Sequence, residues 1–165
     1  MGIATRIASA AALALLAGCA GFARLGLEPG RSTEAEVHRA MGEPAMEFAL
    51  PDGSRRFAYP QGPLGTETFM ATVDRDGRLV SLEQVLDEAH FARIVPGTST
   101  REDVRRLIGP PWQTVDFANL AQVAWDYRFL DAWGYQADLS VMIDREGRVV
   151  GKVVQRIEPR GPDRR

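Results

Sequence analysis

The chain has 165 residues, 45% of them hydrophobic and 25% charged, a globular composition with room for one domain or two small ones. Its 20 basic and 22 acidic residues are interspersed, for a formal charge of −2, which excludes the dense cationic surface that nucleic acid demands. Cys19 is the only cysteine, so neither an internal disulfide nor a cysteine-built metal centre is available.

The N-terminus carries the first message. Arg6 closes a short basic start, and residues 7–17 form an Ala/Leu-rich apolar run. That run falls short of the about 20 residues needed to cross a bilayer, and it suits the apolar core of a secretory signal peptide. Leu16-Ala17-Gly18-Cys19 follows and resembles a bacterial lipobox. The resemblance implies cleavage before Cys19, diacylation of its sulfur and acylation of the new amino group. At about 0.8 kcal/mol per buried methylene, two or three chains give lasting attachment where one gives only weak binding. Ala20, where an Asp would signal retention, implies export to the outer membrane. The expectation is a signal peptide over 1–18 and a lipidated N-terminus over 19–21, with no cofactor besides the covalent lipid on Cys19.

Beyond it the sequence says one thing twice. Pro29-Gly30-Arg31-Ser32-Thr33-Glu34-Ala35-Glu36-Val37 runs on to Gly42 and Pro44, and Pro96-Gly97-Thr98-Ser99-Thr100-Arg101-Glu102-Asp103-Val104 runs on to Gly109 and Pro111. Gly30 and Gly97, Thr33 and Thr100, Val37 and Val104, and Gly42 and Gly109 are each 67 positions apart. In the second copy Thr100 and Asp103 have the spacing of a capping box, and Val104, Leu107 and Ile108 make one apolar stripe. Gly109 is expected to end the helix in a left-handed conformation, and the prolines after it forbid continuation. Phe22-Ala23-Arg24-Leu25 and Phe91-Ala92-Arg93-Ile94 precede the two turns and read as short helical turns.

After each helix the period changes to 2. Residues 46–50 and 55–59 flank the hairpin signature Pro51-Asp52-Gly53-Ser54, and residues 114–117 and 122–129 take the same places in the second copy. Val123, Trp125, Tyr127 and Phe129 alternate with polar or small residues, the pattern of a half-buried strand. A second hairpin closes each copy, with turns at Asp74-Arg75-Asp76-Gly77 and Asp144-Arg145-Glu146-Gly147, and final strands over 79–86 and 149–157. The predicted fold class is α+β: two tandem repeats, 22–88 and 89–158, each with short helices packed on a three- to four-stranded antiparallel sheet. Residues 159–165, rich in Pro and Arg, read as a disordered tail.

Residues able to do chemistry are scarce. His38, on a helix, and His90, in the linker, occupy non-equivalent positions without metal-ligand spacing, and no Gly-x-Ser-x-Gly or phosphate-binding Gly-x-x-x-x-Gly-Lys occurs. Asp126, Asp131 and Asp138 cluster in the second copy, and strand alternation assigns them to a solvated face or loop instead of an acid/base pair. Neither a catalytic residue nor a metal ligand is predicted. The stretch Phe129-Leu130-Asp131-Ala132-Trp133-Gly134-Tyr135 stands out. Phe129, Trp133 and Tyr135 are the candidate partner-binding residues, since aromatic anchors dominate protein interfaces; the other use that Trp133 and Tyr135 admit is to fill the core of the second repeat or the contact between the repeats.

The motif Gly-x-x-Thr-x-x-x-Val-x-x-x-x-Gly-x-Pro, the aromatic strand around Trp125-Asp126-Tyr127 and the Asp-x-x-Gly-Arg turn are similar to the SmpA/OmlA/BamE family of outer-membrane lipoproteins. The resemblance covers both repeats. It implies a small α+β unit in an outer-membrane lipoprotein of the periplasmic face, an accessory of the machinery that inserts β-barrels. The barrel-assembly lipoprotein carries one such unit and this chain two. A tandem pair also resembles secreted β-lactamase inhibitors, which grip an enzyme with a concave double sheet. Both likenesses imply a protein that binds an envelope protein and does no chemistry on a small-molecule substrate. The alternatives are therefore a scaffolding module linked to outer-membrane protein assembly and a tethered inhibitor of a periplasmic enzyme.

Overall fold

A computed structural model describes residues 26–61 and 65–157. The expected signal peptide, the lipid site at Cys19, the first Phe-Ala-Arg-Leu turn and the tail lie outside the described residues. In chain order the elements are α1 (Glu34–Met41), β1 (Met46–Ala49), β2 (Arg55–Pro60), β3 (Thr68–Val73), β4 (Leu79–Gln84), α2 (Glu88–Ala92), α3 (Arg101–Ile108), β5 (Gln113–Phe117), a 3-10 turn (Ala118–Leu120), β6 (Gln122–Leu130), β7 (Gln136–Asp144) and β8 (Val149–Arg156). The strands form two four-stranded antiparallel sheets, β1-β2-β3-β4 and β5-β6-β7-β8. The fold is α+β.

Backbone details recur at matching places. Gly30 N donates to Leu79 O and Gly97 N to Val149 O, both at 2.7 Å, tying each Pro-Gly turn to its last strand. The register shifts between Thr72 and Val73 in the first sheet and between Met142 and Ile143 in the second. Both main helices start on capping boxes. At α3 the Asp103 carboxylate accepts from Thr100 N at 2.8 Å and from its hydroxyl at 2.7 Å, while Asp103 N donates back to Thr100 Oγ1 at 3.2 Å. These bonds, the backbone one foremost, hold the Asp103 carboxyl below the ordinary carboxylate range. A carboxyl with a depressed folded pKa stabilises fully above its unfolded value, near pH 4, and loses that contribution as pH falls through the folded one. Asp103→Ala should therefore cost at most about 1 kcal/mol at neutral pH, since solvent screens this exposed site, and the gap should narrow in urea titrations as pH is lowered below about 4.

Each main helix ends on a glycine, but not in the left-handed helical conformation expected. Gly42 has φ 82°, ψ −161° and Gly109 φ 81°, ψ −163°. Positive φ with extended ψ is a region only glycine occupies comfortably. The chain thus turns straight out of the helix towards the next strand, with Gly109 N still donating to Arg105 O at 2.9 Å.

Two buried clusters account for the core. Val37 of α1 shares the smaller with Phe57, Tyr59, Ala71, Val73, Leu79 and Leu82. The larger draws on both halves of the chain: Phe48, Ala58 and Met70 from the first sheet, Val104 and Ile108 from α3, and Trp125, Tyr127, Phe129, Leu139, Val141 and Ile143 from the second. β2 does not alternate, because consecutive residues Phe57, Ala58 and Tyr59 are all buried and divide between the two clusters. The first sheet is buried on both faces. β4 stops at Gln84, shorter than expected; Val85 and Leu86 leave the strand for the larger cluster, with Val85 N held by Thr68 O at 2.9 Å. His90 lies on α2 instead of in a linker, its backbone N capped by Asp87 at 2.9 Å. Phe91 and Ile94 of the second Phe-Ala-Arg-Ile are buried.

Candidate partner-binding surface

β6 and β7 are joined by a turn that Asp131 organises almost alone. Asp131 N donates to Tyr135 O and Gly134 N to Asp131 O, each at 2.8 Å. Its Oδ1 accepts from Trp133 N and Tyr135 N, both at 2.9 Å, and its Oδ2 accepts from Arg156 Nε at 2.8 Å across to β8. Desolvation works against ionisation, but these bonds from Tyr135, Arg156 and Trp133 outweigh it and keep the Asp131 carboxyl below its ordinary range. Arg156 continues over the Tyr135 ring at 4.8 Å.

The turn lifts its aromatics into solvent: Trp133 is 80% exposed and Tyr135 54%. These two do not fill the core. Phe129, the third candidate, has zero exposure and meets Phe91 edge-on at 4.8 Å between ring centres, so it is a core residue and cannot touch a partner. The inward parity of Trp125 and Tyr127 carries Phe129 inside with them, while the turn beyond Leu130 escapes the alternation.

The second sheet has one face in the core and one open. On the open face Val115, Phe117 and Val153 are exposed beside a polar row. Gln113 Nε2 donates to Asp126 Oδ2 at 2.8 Å and Ser140 Oγ to Asp126 Oδ1 at 2.6 Å. Asp126 was expected on a solvated face; it is on the outward side of β6 but only 8% exposed, covered by the neighbours that satisfy it. The corresponding positions in the first sheet are Met46, Ala58 and Met70, apolar and joined to the core. This difference separates a sheet face adapted to cover from one adapted to water. Asp138 is paired instead with Arg128, through two bonds of 2.9 Å. Asp126, Asp131 and Asp138 thus have separate partners and share no site.

The histidines are held by neighbours. His38 Nδ1 lies 3.2 Å from Tyr59 Oη, with the ring edge-on to Phe57, and burial pushes the Tyr59 hydroxyl up to about 12. His90 Nδ1 lies 2.8 Å from Asp87 Oδ1. Among the described residues no group of three or more His, Cys, Asp or Glu is placed to hold a metal ion, and no helix is long and apolar enough to cross a membrane.

No family model matches the chain, and no curated protein matches it. A solved structure does: the crystal structure of a DUF4309 family protein, YjgB, from Bacillus subtilis subsp. subtilis strain 168, 16% identical, covering 80% of this chain and 83% of that one, with a TM-score of 0.31.

The part played by Asp131 was not read from the sequence, although a signal was there. Asp131 and Gly134 repeat the spacing of Asp74 and Gly77 and of Asp144 and Gly147, and all three glycine N–H groups bond back to the aspartate carbonyl. The Arg156 clamp, 25 residues away, left no local trace.

Proposed function

We propose that this chain is an outer-membrane lipoprotein of the periplasmic face that binds another envelope protein, in the service of outer-membrane protein assembly, and catalyses no reaction. Attachment rests on the lipobox reading of Cys19, and the repeats 22–88 and 89–158 are taken as two copies of one SmpA/OmlA-like unit, each with its main helix laid on its sheet. The observation that supports binding is Trp133, 80% exposed on a turn fixed by Asp131. An exposed indole on a pre-ordered turn loses little conformational freedom when buried by a partner, and such residues carry a large share of interface energy.

Crosslinking in the intact envelope, followed by identification of the captured protein, tests the reading. Recovery of barrel-assembly components supports it. Recovery of a single periplasmic hydrolase whose activity is lost in the complex replaces it with the inhibitor reading. Anchoring has its own test. Cys19→Ser should abolish labelling by radioactive fatty acid and release the chain from the membrane fraction or leave it as precursor; unchanged acylation and retention would remove the anchor.

A further inference from the structure

Between the first sheet and α3 lies a cleft of about 320 Å³, lined by Arg56, Arg93, Ser99, Asp103, Arg106 and Leu107. Three arginines line it from three elements: Arg56 from β2, Arg93 from the end of α2 and Arg106 from α3, whose guanidinium also lies 5.5 Å from the Phe48 ring centre. Carboxylates answer Arg56 and Arg106 and leave Arg93 over. Asp103 is committed to the α3 cap. Glu102 accepts from Arg106 Nε at 3.0 Å, outside the lining. Glu83 comes no closer than 3.7 Å to Arg56 and stands 4.0 Å from His90. Arg93 has no ion pair among the described residues.

Arg56 is the costly member. Its side chain is only 21% exposed, and its Nε is buried without a hydrogen-bond partner. Desolvation lowers its pKa; Glu83 opposes that, and the positive charge of Arg93 adds to it. A largely buried cation beside a second one that has no ion pair is an arrangement whose repulsion an anion in the cleft relieves.

We infer that this cleft binds a phosphate group. A carboxylate is planar and is satisfied by one guanidinium fork, whereas donors converging from three elements suit a tetrahedral, doubly charged oxyanion. The volume exceeds that of bare phosphate, and Leu107 on the wall gives an organic substituent an apolar contact. The inference is independent of the partner surface, which is the turn between β6 and β7 and shares no residue with the cleft.

Isothermal calorimetry and thermal unfolding of the purified chain, with sodium phosphate and with sn-glycerol 3-phosphate at constant ionic strength, test it. Binding to the wild type should raise its melting temperature, and Arg93→Gln and Arg106→Gln, both at exposed positions, should each weaken binding about tenfold. Circular dichroism of the two variants checks that they remain folded. Tighter binding of glycerol phosphate assigns the site to a phosphate ester such as a lipid headgroup, and equal binding assigns it to the free anion. The inference is overturned if neither ligand binds at about 10 mM, if both folded variants bind like the wild type, or if succinate gives the same response.

Discussion

Gly109→Val should destabilise the protein by about 3 kcal/mol or more, whereas Gly42→Val, at the equivalent end of α1, should cost about 1–2 kcal/mol less than that. The two glycines have the same backbone geometry, φ 81° and 82° with ψ −163° and −161°, so the conformational penalty on a branched side chain is shared. Their surroundings differ. A Cβ on Gly42 would meet nothing within 4 Å, while one on Gly109 would lie 3.1 Å from Thr68 Cγ2, 3.5 Å from Ala58 Cβ and 3.7 Å from Met70 Cε. Those neighbours belong to the first sheet, and valine's two methyls would have to enter that contact. Retreat is blocked, because the buried Tyr127 hydroxyl donates to Gly109 O at 3.1 Å from the second sheet. Urea denaturation of both variants gives the comparison. Equal losses would mean that the end of α3 is not wedged between the sheets.

Trp133→Ala should weaken partner binding about 30-fold or more, the loss of about 2 kcal/mol typical of a dominant interface residue. It should leave unfolding free energy within about 0.5 kcal/mol of wild type, because an indole 80% exposed supports little of the fold. Asp131→Ala provides the contrast. It removes the acceptor for Trp133 N, Tyr135 N and Arg156 together, so it should weaken binding through loss of turn order while Trp133 itself remains. Unimpaired binding by Trp133→Ala would move the partner site elsewhere, and a large loss of stability would mean that the indole is a structural element.

Local chemistry was legible in the sequence, and tertiary consequences were not. The Thr100–Asp103 spacing dictated the cap, and the hairpin glycines and the alternation of residues 122–129 dictated β5 to β8, because each is a contact between near neighbours. The double-sided burial of the first sheet was invisible. Ala58 and Met70 are small or unbranched apolar residues that would sit on an open face without protest, and only α3, some 40 residues on, shows that the face is covered. Asp126 misled for a related reason. Parity gives the side of a strand, but Gln113 and Ser140, one on each neighbouring strand, decide whether that side is wet. The aromatic stretch divided in the same way. Strand parity buries Phe129, whereas the fate of Trp133 and Tyr135 depends on a turn whose Asp131 looks, in sequence, like one carboxylate among three.

The central claim, that a tethered chain presents the Trp133 turn to an envelope protein, is tested most directly by site-specific photo-crosslinking. A benzophenone amino acid in place of Tyr135 should, in living cells, capture one discrete envelope protein. The same probe in place of Val80, which is equally exposed at 54%, should not. Matching crosslinks from positions 135 and 80, or none from 135 under conditions in which the chain is acylated and folded, would contradict the account.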